Sequence, residues 1–270
     1  MTTIIESGFQ LVARVNDNSK KPLDLDNRLF PDELGNKQTV EINGESKCGK
    51  TLLLTNLIAT CILPIEYKGF NINVLLIETD GKFSLKKLIK IIKNSIKLSL
   101  INKSITLNDI KLQEIVELSL KNLHIIKCNN SLQFQANLYL LPKIFNDNNK
   151  IRLIAIDNIS EYYWNDREIE IEHYTMNTHV INILKKIQQA TFLHNVKTIY
   201  IKQNDIDVKQ MRTFSQNLNE NTILGEANYK INLSKNLNSS QGICKVDSMK
   251  GSTIINYETC DIGIKWLNFD

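Results

Sequence analysis

Gly44-Glu45-Ser46-Lys47-Cys48-Gly49-Lys50-Thr51 is the stretch on which the reading of this chain turns. It fits the pattern G-x-x-x-x-G-K-[ST] in full, and the residues on either side supply the strand and the helix that such a loop requires. The spacing has a chemical reason. Glycines let the backbone fold around phosphate oxygens, successive N–H groups and the start of the following helix face the anion, a lysine neutralises the outer phosphates, and a hydroxyl holds Mg²⁺. Residues Gly44, Glu45, Ser46, Lys47, Cys48, Gly49, Lys50 and Thr51 are therefore the candidate binding loop for ATP. Within it Lys50 is the phosphate cation and Thr51 a ligand of Mg²⁺. Cys48 has no paired histidine nearby in sequence and reads as a small space-filler.

Outward from the loop, residues 39–43 alternate apolar and polar side chains as a strand does, and residues 51–63 are apolar and helical in character. The same alternation recurs downstream. Strands are predicted at 74–77, 123–127, 152–156 and 198–201, and helices at 85–98, 109–120, 133–145 and 178–192. Asp109 is the expected N-cap of the third helix, and Pro142 is expected to kink the fourth. Strands separated by helices imply a mostly parallel sheet flanked by helices on both faces, because parallel strands need long crossovers. The fold class is then α/β, a P-loop NTPase core. After residue 229 the pattern changes to short alternating strands at 230–233, 243–246, 253–257 and 262–266, expected as C-terminal antiparallel strands that extend one edge in hairpins. Residues 1–37 read as an N-terminal arm and 38–270 as the ATP-binding core with its C-terminal β-hairpins.

In such a sheet the chemistry collects at the carboxyl ends of the strands. Asp157, directly after an apolar strand, is placed to hold the metal of a bound triphosphate. Glu78 and Asp80 end another strand, where an acid can orient an attacking water. Gln203 ends a third, where a side-chain amide can touch the terminal phosphate. Asp80 and Gln203 are the candidate catalytic residues, and Thr51 with Asp157 the candidate metal ligands.

Composition narrows the partners. Lysine and arginine number 33 against 29 acids, so the net charge of +4 gives no overwhelming field for polyanions, and any nucleic-acid contact must be local. The five cysteines form no C-x-x-C pair, which suits a reducing compartment without structural zinc. The first ten residues have neither the basic nor the apolar region of a secretory signal, and no apolar run is long enough for a membrane span, so no membrane is expected. Lys86, Lys87, Lys90, Lys93 and Lys97 make one basic helix face, the ordinary look of a solvated surface.

The order of P-loop, strand ending in an acidic pair, strand ending in Asp and strand ending in Gln resembles the RecA and eukaryotic recombinase family, which implies a RecA-like core. Further stretches carry the likeness to the recombinase paralogues: Glu6-Ser7-Gly8, Leu29-Phe30-Pro31-Asp32-Glu33, Cys61-Ile62-Leu63-Pro64, Glu78-Thr79-Asp80 and Tyr162-Tyr163-Trp164-Asn165-Asp166-Arg167. The resemblance implies a nuclear subunit that binds ATP and assembles with other recombinase paralogues in a heteromeric complex. It implies a role in homologous-recombination repair of DNA double-strand breaks and stalled forks, with single-stranded or branched DNA reached through the complex. Such paralogues lack the helical N-terminal domain of the recombinase, and few residues precede Gly44 here.

Asp80 falls where the strand-exchanging members have a catalytic Glu. Its carboxylate is one methylene shorter, so slow or absent hydrolysis is expected beside intact nucleotide binding. The resemblance also places two DNA-facing loops at 158–174 and 204–224, where the cations are sparse beyond Arg167, Lys209 and Arg212. Tyr162, Tyr163 and Trp164 offer either base-stacking platforms or an interface patch, the patch being the commoner use. In the arm, Phe9, Leu11, Val12, Leu29 and Phe30 need a surface to cover them, either the core or a neighbouring subunit. Two other classes remain: an autonomous DNA-dependent ATPase that forms its own filament, and a P-loop small-molecule kinase. The kinase fits less well, because no Arg-rich lid segment is present to stabilise a moving phosphoryl group.

Overall fold

The computed structural model describes residues 22–101, 108–168, 174–203, 225–235 and 239–267. The strand ahead of the loop is β1 (Thr39–Gly44), followed by helix α1 (Lys50–Ile62). Helix α1 is buried on nearly all sides and stops at Leu63, ahead of Pro64, a residue that cannot extend a helix. There follow β2 (Asn73–Glu78), α2 (Leu85–Ile101), α3 (Asp109–Leu120), β3 (Leu123–Lys127), α4 (Ser131–Asp147) and β4 (Ile151–Asp157). After β4 come a short α5 (Tyr163–Arg167), α6 (Met176–Thr191) and β5 (Lys197–Ile201). The chain then closes with β6 (Tyr229–Lys235), β7 (Gln241–Ser248), β8 (Gly251–Cys260) and β9 (Gly263–Leu267).

All nine strands lie in one sheet of order β3-β2-β4-β5-β1-β6-β7-β8-β9. From β3 to β6 every neighbouring pair is parallel. These central strands read as nearly continuous apolar runs because both faces are covered. One face carries α1, α2 and α3 against Val40, Ile42, Val74, Leu76, Leu153 and Ile199. The other carries α4 and α6 against Leu75, Ile77, Ile154, Ile156 and Tyr200. The RecA-like fold expected from the sequence is therefore present, with one addition at its C-terminal side. The strand expected at 230–233 is β6, which pairs antiparallel with β7 as the first arm of a hairpin and on its other side runs parallel to β1, so the antiparallel ladder β6 to β9 is joined to the parallel sheet through β6.

Helix ends follow local chemistry. Asn108, not Asp109, caps α3 by accepting a hydrogen bond from the Lys111 N–H, Asn130 caps α4, and Thr175 caps α6. Helix α4 continues past Pro142 to Asp147.

The described part of the arm lies on the core. Leu23 and Leu34 exchange backbone hydrogen bonds at 2.9 and 2.8 Å, and Leu25, Leu29 and Phe30 are buried between them. Phe30 meets Tyr229 of β6 edge-on at 5.2 Å, and the Trp266 indole N–H donates to Asp26 at 2.6 Å. Leu29 and Phe30 are thus covered by this chain and leave nothing for a neighbour, and their burial contributes about 1.5–3 kcal/mol each before ordering costs. Phe9, Leu11, Val12 and the Glu6-Ser7-Gly8 stretch lie outside the described residues.

Lys197, the first residue of β5, is fully buried and donates to the Asn36 side-chain oxygen at 2.8 Å. Burial brings its pKa down from 10.5 to about 8. The folded chain therefore gives up this proton before the unfolded chain does, and stability should rise with pH between about 8 and 10.5. Replacement Lys197→Met is expected to flatten that rise and to stabilise the protein at neutral pH by on the order of 1–3 kcal/mol. Urea unfolding at neutral and alkaline pH measures both effects.

Candidate functional site

The loop 44–51 leaves the end of β1 at Gly44, which pairs with Leu233 of β6. A side chain at Gly44 would put its Cβ 2.2 Å from the Leu233 carbonyl oxygen, so only glycine fits this close passage between strands. Gly49 takes φ 104° and turns the chain into α1. The Lys50 ammonium sits inside the loop, donating to the carbonyls of Gly44 at 2.6 Å and Glu45 at 2.8 Å. Burial lowers its pKa. Cys48 is buried, and burial raises its thiol pKa, so it fills space as a neutral group. The Cys48 carbonyl accepts a hydrogen bond at 2.6 Å from the hydroxyl of Tyr257, a fully buried residue of β8. A tyrosine 209 positions away thus fixes the middle of the phosphate loop.

Asp157 ends β4 at the same edge and is almost fully buried. One of its carboxylate oxygens, Oδ2, has no hydrogen-bond partner among the described residues. Its pKa is pushed up to about 7, first by burial and then by the negative Asp80; a hydrogen bond from the Thr51 side chain and the charge of Lys82 work against the rise. A buried carboxylate oxygen without a partner, beside a hydroxyl, is costly as it stands. A Mg²⁺ bound to these two groups would satisfy it, since that ion takes few protein ligands and draws the rest from phosphate and water. The donors present therefore fit the metal expected from the sequence.

The two acids after β2 part company. Glu78 accepts from the Phe83 N–H at 3.0 Å, lies 3.5 Å from the Lys127 ammonium, and is committed to closing its own turn. Asp80 accepts from the Lys82 N–H at 3.0 Å and from the Lys82 ammonium at 2.6 Å. Gln203, just past β5, donates from its backbone N–H to Ser160 Oγ at 3.0 Å and from Nε2 to Glu161 at 3.2 Å. The same Glu161 oxygen accepts from Asn158 at 2.8 Å, which ties Gln203 to the turn after Asp157. The structure thus brings the 44–51 loop, Asp157, Asp80 and Gln203 to one edge. It adds Lys82, Asn158, Ser160, Glu161 and Tyr257, which the sequence reading did not single out. Lys82 and Glu161 had a local signal, since each lies within four residues of a strand-end acid; Tyr257 had none.

Of the aromatic cluster, only Trp164 is exposed. Tyr162 is buried and donates to the Cys128 carbonyl at 2.6 Å, and Tyr163 is buried and donates to the Tyr174 carbonyl at 3.2 Å. Neither ring is free to stack on a base. The Arg167 guanidinium lies 5.5 Å from the Trp164 ring centre, so these two form an exposed cation and ring pair in the first loop, beside exposed Asn165 and Glu168. Lys209 and Arg212 fall outside those residues. Among the described residues no helix is long and apolar enough to cross a membrane.

This sheet order, with a phosphate loop after β1 and an acid at the end of β4, defines a RecA-type P-loop protein. More narrowly, the chain belongs to the Rad51 family, whose pattern matches residues 23–251. Similar proteins include the mouse DNA repair protein XRCC2, 30% identical over 164 residues, which cover 60% of this chain and 54% of that relative. The DNA repair protein RAD51 homolog 3 of Cricetulus griseus is 26% identical over 178 residues, covering 64% of this chain and 47% of the relative. The chain spans about half the length of these curated relatives. Family membership carries nucleotide binding with it.

Two outcomes follow from the geometry. Asp157 must lose its proton to hold a divalent cation, so Mg²⁺-dependent nucleotide affinity should strengthen as pH rises through about 7. Titration calorimetry across that range should show the dependence in the wild type and lose it in Asp157→Asn. Tyr257→Phe leaves the buried Cys48 carbonyl short of its donor; it should cost about 1–3 kcal/mol of stability and weaken nucleotide binding. Denaturant unfolding and calorimetry on the same preparation test this together.

Proposed function

We propose that this chain is an ATP-binding subunit of a heteromeric recombinase-paralogue complex that assists homologous-recombination repair of DNA double-strand breaks and stalled forks in the nucleus. One observation carries the subunit reading over that of an autonomous enzyme. The phosphate loop is complete, with Asp157 beside Thr51, whereas the acid in the water-orienting position is short and already paired with Lys82 at 2.6 Å. Lys50 and the loop N–H groups hold the phosphates of ATP, and Thr51 and Asp157 hold Mg²⁺. A metal held there would supply charge neutralisation to the outer phosphates. Gln203 and Glu161 report the terminal phosphate to the turn after β4. The sparse cations of the first loop support contact with single-stranded or branched DNA made through the complex rather than by this chain alone.

Isothermal titration with Mg-ATP should show binding that Lys50→Ala abolishes or weakens at least tenfold, and equal binding by both proteins would overturn the site. Single-turnover hydrolysis should be slow and insensitive to single-stranded DNA. Robust DNA-stimulated turnover would favour the filament-forming ATPase instead. Because Leu29 and Phe30 belong to the core, the segment to remove in testing assembly is 1–21, which carries Phe9, Leu11 and Val12. Co-expression with other recombinase paralogues should give a heteromer on size-exclusion chromatography that the shortened chain forms less well. A monomer with every paralogue would remove the subunit reading.

A further inference from the structure

We propose that Lys82 is a second phosphate-binding lysine of this site, which recognises the third phosphate of a nucleoside triphosphate and shares its ammonium between that phosphate and Asp80. The proposal rests on the nucleotide-binding reading above.

The backbone around Lys82 is clamped, while its side chain reaches solvent and its ammonium is held by Asp80 alone among the described residues. Thr79 is tied to β4 through its N–H to the Asp157 carbonyl at 2.8 Å, and its hydroxyl accepts from the Asn158 N–H at 2.7 Å and donates to the Asn158 carbonyl at 2.8 Å. Phe83 is tied to Glu78 at 3.0 Å. Between these anchors Gly81 takes φ 68° and reverses the chain, which sets Lys82 back over Asp80. The Lys82 side chain is 64% exposed, whereas that of its partner Asp80 is 4% exposed. A buried carboxylate and a solvent-reaching ammonium on a rigid turn place an exposed cation over a fixed base.

The charges at this edge need such a group. Lys50 lies within the loop, donating to two of its carbonyls, and serves the phosphates that the loop itself surrounds. Asp80, Asp157 and Glu161 are all close enough to Lys82 to act on its proton affinity, after the hydrogen bond to Asp80 and the opposing effect of burial. In phosphoryl-transfer sites the metal bridges the second and third phosphates. A metal held by Thr51 and Asp157 would draw the third phosphate toward the ends of β4 and β2, where Asp157 and Asp80 stand. Two carboxylates there repel it unless a cation intervenes, and Lys82 is already in contact with one of them. The charge of Lys82 also acts on both Lys50 and Asp157, which places it within electrostatic reach of the phosphate loop as well as of the metal ligand. A second phosphate cannot use it in the same way, because the loop N–H groups and Lys50 already surround that position.

The experiment compares Mg²⁺ complexes of a non-hydrolysable ATP analogue and of ADP by titration calorimetry, using the 270-residue chain. Lys82→Ala should weaken the triphosphate about tenfold and leave ADP within about twofold, and Lys82→Arg should keep most of the preference. Equal losses for both nucleotides, or no loss for the triphosphate, would overturn the proposal. The double variant Asp80→Asn/Lys82→Ala separates phosphate binding from simple neutralisation of Asp80. Continued weak triphosphate binding supports phosphate contact, and restoration to the wild-type value refutes it. If the wild type binds neither nucleotide, or binds both independently of Lys50, the nucleotide reading itself fails and this one with it. Loss of the triphosphate preference in Lys82→Ala alone leaves that reading intact.

Discussion

The hydrogen bonds that β1 makes on both sides, to β5 through Ile42 and Ile201 and to β6 through Gly44 and Leu233, hold the phosphate loop at the carboxyl edge of the parallel sheet. Each other group at the edge takes its position from a strand counted outward from β1: Gln203 from β5, Asp157 from β4, Glu78 and Asp80 from β2. The parallel arrangement matters here, since it brings the ends of all these strands to the same side. The crossover helices then fill both faces and bury what lies beneath the edge. On the β6 side the bare Cα of Gly44 allows close contact with Leu233, and no larger residue can occupy that point.

The electrostatics of the edge follow from the same placement. Strand ends lie at the top of a low-dielectric core, so Asp157 and Lys50 both feel burial, and each is shifted toward its neutral form. Such opposed shifts around an acidic group with a free oxygen mark a place built to receive charge from outside. Glu161, which collects hydrogen bonds from both Asn158 and Gln203, links the end of β5 to the turn after β4. That link gives a change at one strand end a direct route to the other.

What could be read from the residues alone was the part encoded locally. The phosphate loop is a contiguous motif, and Asp157 declares itself by following four apolar residues of a buried strand. Strand direction is not encoded in that way. The alternation in 229–235 is the same whether a neighbour runs with or against it, so the hairpin with β7 is legible while the parallel pairing of β6 with β1 is not. Burial of Leu29 and Phe30 was similarly undecidable, because an apolar residue in a turn-rich arm looks alike whether this chain or another covers it. Lys197 misleads in the other direction: a lysine opening a strand suggests a solvated end, yet only the folded sheet brings Asn36 to it and closes the water off. Tyr257 belongs to the same class, its role set by a contact between opposite ends of the sequence.

The contact between Tyr257 and Cys48 also bears on how the molecule comes to be folded. The phosphate loop leaves the ribosome long before the strand that braces it, since 209 positions separate the two. At synthesis rates of about 5–20 residues per second, the loop waits on the order of ten seconds or more for its partner. In that interval Gly44 has no β6 beside it, the Cys48 carbonyl has no donor, and one side of β1 is an open strand edge. Such an edge invites pairing with other chains until β6 arrives to cover it. The order of elements along the chain thus makes the earliest and most recognisable motif the last to reach its final form.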